Sequence, residues 1–363
     1  MGILRTILAL AVVIYHSNIL FGFRLCGGQL AVEAFYMISG FYMALVLNEK
    51  YTEKGFYKRF IYSRFYRIFP TYWVVLLLAL VLSAIGIMFF KNGFYFTRYI
   101  SNWNCLSCFT IFYFVIENII IFGQDVMYFL KMNALCDPQF VTYARTFKHS
   151  ANHYLLVPQA WSISIELMFY VIAPFLVKRK LFWQLLFIVA SFSAKFIYAN
   201  YFYLAVDPWT YRFFPFELGF FILGSVAYQF YLKIKDRSGK LVGYILLVMS
   251  LLSIVFIPEI PLAVNIKNAL FYAVILCSIP FVFNALKNNS IDKYIGELSF
   301  AIYISHLLVV SVLRVFFFNH TFPMMYYGPA AMLCSTAVAV LLNKFIIIPF
   351  EKIRTKRFEG SKK

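Results

Sequence analysis

Gly27-Gly28-Gln29-Leu30-Ala31-Val32-Glu33-Ala34-Phe35-Tyr36-Met37-Ile38-Ser39-Gly40-Phe41 is an almost unbroken apolar run that holds one ionisable side chain, Glu33, and it stays apolar to about residue 47. A helix needs about 20 mostly apolar residues to cross a bilayer, and this run has them. A carboxylate placed inside such a run is costly, so it marks a site with a function to explain. The pattern recurs along the chain. Ten stretches read as spans: 3–22, 29–47, 68–90, 160–177, 181–199, 213–232, 241–258, 266–286, 296–317 and 328–349. An eleventh apolar stretch, 105–123, is ambiguous by length.

Composition agrees with this reading. The 363 residues are 63% hydrophobic, 21% aromatic and only 13% charged, with a mean hydropathy of +0.77. A soluble domain cannot hide that much apolar surface, and a disordered chain would not contain it. The net charge is +18. A nucleic-acid partner is excluded, because there is too little polar surface to present a basic face.

The distribution of the basic residues supplies the topology. With ten spans and an inward N-terminus, 23 of the 33 Lys and Arg fall on one side. They cluster at Lys50 to Arg67, Lys178 to Lys180, Lys233 to Lys240, Lys287 and Lys293, and Lys344 to Lys363. The other side holds Arg24, Lys91, Arg98, Lys131, Arg145, Lys148, Lys195, Arg212, Lys267 and Arg314. Cytoplasmic loops carry the excess of Lys and Arg, so both termini read as cytoplasmic. Counting 105–123 as a span would put Lys178 to Lys180 outside and invert every later loop. It therefore reads as a re-entrant or interfacial segment within an outer region of about 91–159. The fold class is all-α: one polytopic membrane domain over 1–363, multi-pass in the cytoplasmic (inner) membrane. No cleavable signal peptide and no appended soluble domain are expected.

Four of the six cysteines, Cys26, Cys105, Cys108 and Cys136, fall on the outer side. The single Cys105-Leu-Ser-Cys108 lacks a second pair and a histidine at ligand spacing, so no metal is expected. Disulfides and buried thiols both fit these positions.

Polar groups inside the spans point to chemistry. Arg5 and His16 are eleven residues apart on the first span. That spacing returns to nearly the same helix face with a rise of about 16 Å. A snorkelling arginine and a satisfied histidine would be the bland alternative. Glu33 enters the second span at the depth of His16, and a carboxylate beside an imidazole would support a general base. The bland alternative is a charge-neutralised packing pair. Arg64 and Arg67 are three apart on one helical face, and paired guanidinium groups suit phosphate; anionic lipid would suit them equally. Glu166, Glu217, Tyr303 and His306 add polar groups that could line a cavity. Together they suggest a phosphate site on the cytoplasmic side joined through the membrane to a His/Glu site. A linear anionic donor such as acyl-CoA has the right length.

Five motifs in order on a ten-span chain then resemble the acyltransferase-3 family of integral membrane acyltransferases. Arg5 to His16 resembles its Arg-x10-His motif, and Gly28 to Phe41 its G-V-D-L-F-F-V-L-S-G-F stretch, with Glu33 in place of Asp. Arg64-Phe65-Tyr66-Arg67 resembles its Arg-x-x-Arg motif, Trp161 to Tyr170 its W-S-L-S-V-E-x-x-F-Y, and Ile302 to Leu307 its late Y-L-L-H. Some members carry an SGNH domain after the membrane domain; here only a basic tail follows Phe350. The resemblance implies transfer of an acyl group, most often acetyl from acetyl-CoA, to a hydroxyl of a surface glycan or lipid-linked sugar. In that scheme His16 is the base or an acyl carrier and Glu33 orients it. Arg64 and Arg67 hold CoA phosphates and Arg5 lines the donor path. No bound cofactor is implied; acyl-CoA is a substrate. The competing class is a transporter or flippase of an acyl donor or lipid-linked sugar, which would show internal repeats and broken helices in matching halves. Residues 1–180 and 181–349 show no convincing repeat.

Overall fold

The computed structural model describes residues 1–90, 93–143, 149–318 and 323–358. Of the basic residues above, Lys91, Arg145, Lys148, Lys362 and Lys363 lie outside them. The helices are α1 (Gly2–His16), α2 (Gly27–Glu49), α3 (Phe56–Phe90), α4 (Thr97–Ser101), α5 (Cys108–Ile120), α6 (Trp161–Leu176), α7 (Leu181–Tyr201) and α8 (Phe214–Ile234). They continue with α9 (Lys240–Phe256), α10 (Val264–Leu286), α11 (Ser290–Phe318), α12 (Tyr327–Leu342) and α13 (Ile348–Phe358).

Among the described residues, eight helices are long and apolar enough to cross a membrane. They answer to eight of the ten expected spans, and the protein is an all-α, multi-pass membrane protein. The other two stretches differ from expectation for a physical reason. α1 has only 15 residues, and α8 has 21 but includes Glu217, Gln229 and Lys233. Both are shielded by other helices: α1 packs on α2, α11 and α12, and α8 packs on α2, α7 and α10. A helix surrounded by protein need not satisfy lipid along its whole length. By contrast, α3 exposes Leu77, Val81, Ile85, Met88 and Phe89, the surface expected against lipid tails.

The first span was expected to run to residue 22, but the helix stops at His16. The Ser17 hydroxyl donates back to the Val13 carbonyl at 2.9 Å. The chain then folds into a tight turn in which Leu20 and Phe23 bond each other's backbone and Gly22 takes a φ of +95°, a conformation glycine adopts readily. His16 is therefore the last helical residue, and it is exposed. At the other end of α1, Asp292 of α11 accepts the backbone N–H groups of Gly2 and Ile3 at 2.7 and 2.9 Å. A carboxylate there satisfies two otherwise orphaned donors and complements the helix dipole.

Two glycines set the α2–α8 approach. A Cβ at Gly40 would lie 1.8 Å from the Phe221 carbonyl oxygen, and one at Gly224 1.9 Å from that of Met37. Small residues let membrane helices approach backbone to backbone.

The region between α3 and α6 folds as a cap. α5 has 13 residues, about 20 Å of helix, too short to cross a hydrocarbon core of about 30 Å alone. Its Phe109, Phe112, Val115 and Ile119 are exposed, while Thr110, Phe114 and Asn118 are buried. Two short strands, β1 (Leu130–Met132) and β2 (Pro138–Phe140), pair antiparallel with Lys131 opposite Gln139. A Cys105–Cys136 disulfide ties their connecting turn to the start of α5, resolving the open pairing among the outer cysteines. The cap is held to α6 by Ser164, whose hydroxyl donates to Asp125 at 2.7 Å and accepts from the Gly123 N–H at 2.8 Å. Burial pushes the Asp125 carboxyl up to about 6 despite that bond.

Candidate active site

A cavity of about 730 Å³ opens at the end of the bundle where α1 begins. Arg5, Arg64 and Arg67 line it. α3 delivers two of them because it runs unbroken past Pro70, so that Arg64 and Arg67 extend the helix on one face. Arg64 is only 4% exposed, and its Nε has no hydrogen-bond partner. Its guanidinium lies 5.6 and 6.0 Å from the Phe60 and Tyr170 ring centres. Arg5 sits 5.9 Å from the Tyr42 ring. Arg67 shares the cavity lining with both Arg5 and Arg64. Gathering like charges in a half-buried cleft is unfavourable unless an anion joins them.

Glu166 is on the same cavity wall. It accepts from the Ser39 hydroxyl at 2.5 Å and from Tyr170. Deeper in, the wall is formed by Phe35, Tyr36, Ser162 and Tyr303. The Tyr36 ring stacks on Phe221 with centres 4.5 Å apart, and its buried hydroxyl has no partner. Ser162 and Tyr303 bond each other through their hydroxyls at 2.5 Å. Tyr303 also donates to the Gln159 carbonyl at 3.2 Å.

His306 follows Tyr303 by three residues and is completely buried. Its Nδ1 lies 2.6 Å from the Tyr303 carbonyl oxygen. A carbonyl can only accept, so Nδ1 carries the proton and Nε2 is left as an acceptor. That Nε2 has no hydrogen-bond partner. The His306 ring centre lies 5.2 Å from that of His16. The floor of the cavity and His16 are thus linked by Tyr303 and His306.

Glu33 belongs to a separate cluster. It accepts from Gln29 at 3.2 Å, from Lys195 at 3.1 Å and from the Tyr272 hydroxyl. Lys195 also donates to Glu217 at 2.9 Å. Both carboxylate side chains are buried, while Lys195 is 23% exposed. α2, α7, α8 and α10 meet at this network. One cation serves two carboxylates, so removing it would leave two buried acids facing each other. We expect Lys195→Met to cost about 3–5 kcal/mol, read as a lower melting temperature in detergent. Adding Glu217→Gln should recover part of the loss. An unchanged melting temperature would show that the network does not hold the four helices together.

The whole-chain comparison comes to the same point as the motifs. A family model described as "Acyltransferase domain", that of the acyltransferase-3 family, matches residues 1–344. The chain belongs to the acyltransferase-3 family. Three relatives from Staphylococcus aureus, in strains COL, MSSA476 and MRSA252, carry the name "Putative O-acetyltransferase". Each is 23% identical over 389 residues, covering 96% of this chain and 56% of the relative. The chain therefore spans about half the length of the curated relatives it matches. No solved structure matches it.

Within this acyltransferase-3 chain the site residues divide into groups that the sequence did not separate. Arg5, Arg64, Arg67, Glu166 and Tyr303 share one cavity wall. Glu166, read from the sequence as a polar group that could line a cavity, lines the one that holds the arginines. His306 lies behind Tyr303, and Glu217 lies with Lys195. Glu33 was expected to orient His16. Its two oxygens are instead engaged by Lys195, Gln29 and Tyr272, and the rings in contact with His16 are those of Tyr15 and His306. Lys195, Tyr272, Tyr36 and Ser162 were not singled out from the sequence. Lys195 carried a signal, being a lysine within an apolar span. The tyrosines carried none, since they are 27 among 363 residues.

Proposed function

We propose that this protein is an integral-membrane O-acyltransferase that moves an acyl group, most simply acetyl, from acyl-CoA to a hydroxyl of a glycan or lipid-linked sugar across the membrane. The single observation that supports it best is one cavity with three arginines at its mouth and Tyr303, His306 and His16 in succession beyond its floor. On this reading the arginine side is cytoplasmic, as the distribution of basic residues argues. The Cys105–Cys136 disulfide on the opposite side fits an oxidising compartment. Family membership and the name borne by the relatives favour the same activity.

In this mechanism the CoA phosphates rest on Arg5, Arg64 and Arg67, where bidentate guanidinium contacts suit them. The pantetheine arm follows α1, whose Arg5 to His16 rise is about 16 Å. The thioester is delivered near Tyr303. His16, exposed at the end of α1, takes the proton of the incoming hydroxyl. His306 keeps its orientation through the Tyr303 carbonyl, which leaves its Nε2 open to accept from a group arriving on the His16 side. Mass spectrometry of cell-surface glycans, with and without the gene, is the direct test. An increment of one acyl group that depends on the gene is expected. Identical spectra, together with no CoA release by the purified protein from any short acyl-CoA, would overturn the proposal.

A further inference from the structure

Acyl transfer builds negative charge on the carbonyl oxygen, and none of the residues assigned so far donates to it. Arg212, just before α8, is a group that the mechanism leaves unused. It is 5% exposed. Three aromatic rings enclose it, with its guanidinium carbon 4.0 Å from the Trp161 centre, 4.1 Å from Tyr128 and 4.6 Å from Tyr211. Nε donates to Asp207 at 2.7 Å, and Nη2 donates to Asp207 at 3.3 Å and to the Tyr211 hydroxyl at 2.7 Å. This side-on pairing turns the third arm, Nη1, away from Asp207, and Nη1 is buried with no partner at all. An unsatisfied buried donor on a charged group is expensive, so its retention calls for a ligand.

Arg212 is tied to the inner wall of the cavity through a neighbour of one lining residue. The ring on which Arg212 stacks belongs to Trp161, the residue before Ser162 of the cavity floor. Ser162 in turn is bonded to the Tyr303 hydroxyl. The ion pair and three rings hold Arg212 still, so no reorganisation is needed when charge develops. That is the condition under which a hydrogen-bond donor favours a transition state over a ground state.

We propose that Nη1 of Arg212 is the donor that holds the carbonyl oxygen of the acyl group during transfer. The acceptor oxygen adds to the thioester carbon as its proton passes to His16. The negative charge rests on the carbonyl oxygen at Arg212 until the C–S bond breaks, and the departing thiolate takes the proton back. No oxidant, reductant or further reactant is required. The inference rests on the acyl-transfer reading above.

The test is release of CoA thiol from acetyl-CoA by the full-length protein in detergent, with kcat and KM measured separately and folding followed by thermal melting. Arg212→Lys keeps a cation for Asp207 but removes the Nη1 arm. It should lower kcat about 100-fold while KM for acetyl-CoA stays within about two-fold. Should that variant fail to fold, the double variant Asp207→Asn with Arg212→Met removes both charges, which buried pairs tolerate better than loss of one partner. It should show the same fall in kcat per folded molecule. A wild-type kcat in either folded variant, or a loss that only follows the folded fraction, would overturn the role of Arg212 and leave the transfer reading standing. Wild-type protein that releases no CoA from any acyl-CoA would overturn both.

Discussion

Changing His16 to alanine is expected to lower acyl transfer by about 10²–10⁴-fold, the range in which a positioned general base contributes, while leaving the protein folded in the membrane. The two halves of this expectation have separate causes. His16 is exposed and ends its helix, so trimming it removes little packing, and surface changes of this kind usually stay within about 0.5 kcal/mol. Its neighbour His306 is the opposite case, buried and bonded to the Tyr303 carbonyl, so trimming that residue would confuse chemistry with folding. The measurement is acyl transfer to a sugar acceptor, or CoA release, at matched amounts of membrane-inserted protein. A His16→Ala protein with wild-type turnover would remove the base from the mechanism.

The second large effect is expected at the mouth of the cavity. Replacing Arg64 and Arg67 together by alanine should weaken CoA binding by about 10²-fold or more. Hydrogen bonds to charged groups contribute about 1.5–3 kcal/mol each when one partner is removed. The two arginines should differ. Arg64 is 4% exposed and unpartnered at Nε, so its loss should persist at high salt. Arg67 is exposed, so its share should fade as salt screens it, with a Debye length of about 3 Å at 1 M. Titration of CoA into the purified protein at low and high salt separates the two. Unchanged affinity in the double variant would return these side chains to the simpler role of attracting anionic lipid.

Some of this was legible in the sequence because it depends on local pattern alone. Apolar runs of about 20 residues reveal membrane helices wherever lipid must be met, and among the described residues eight helices obey that rule. The rule blurs at α1 and α8, which are wrapped by protein. Arg64 and Arg67 share a face because three residues make nearly one turn, and the structure keeps that turn. Depth was less legible. Glu166 reads in the sequence only as a group that could line a cavity, and the structure places it against Ser39 in the cavity of the arginines. The loop after α1 also turned out to be longer, since the Ser17 hydrogen bonds and the turn at Gly22 end the helix early.

By itself the sequence determined the class, an all-α membrane protein, and the set of costly polar groups that had to be explained. These follow from solvation, because each residue's preference for lipid or water is a property of that residue and its few neighbours. Only the tertiary structure decided which polar group meets which. Glu33 was as near to His16 in depth as any carboxylate, yet it turns to Lys195 and Tyr272, and His306 from the far end of the chain takes the place beside His16. Hydrogen bonds and ion pairs are fixed by direction and by angstroms across helices. Those depend on how helices rotate and pack against one another, which glycines such as Gly40 and Gly224 set and no local pattern records.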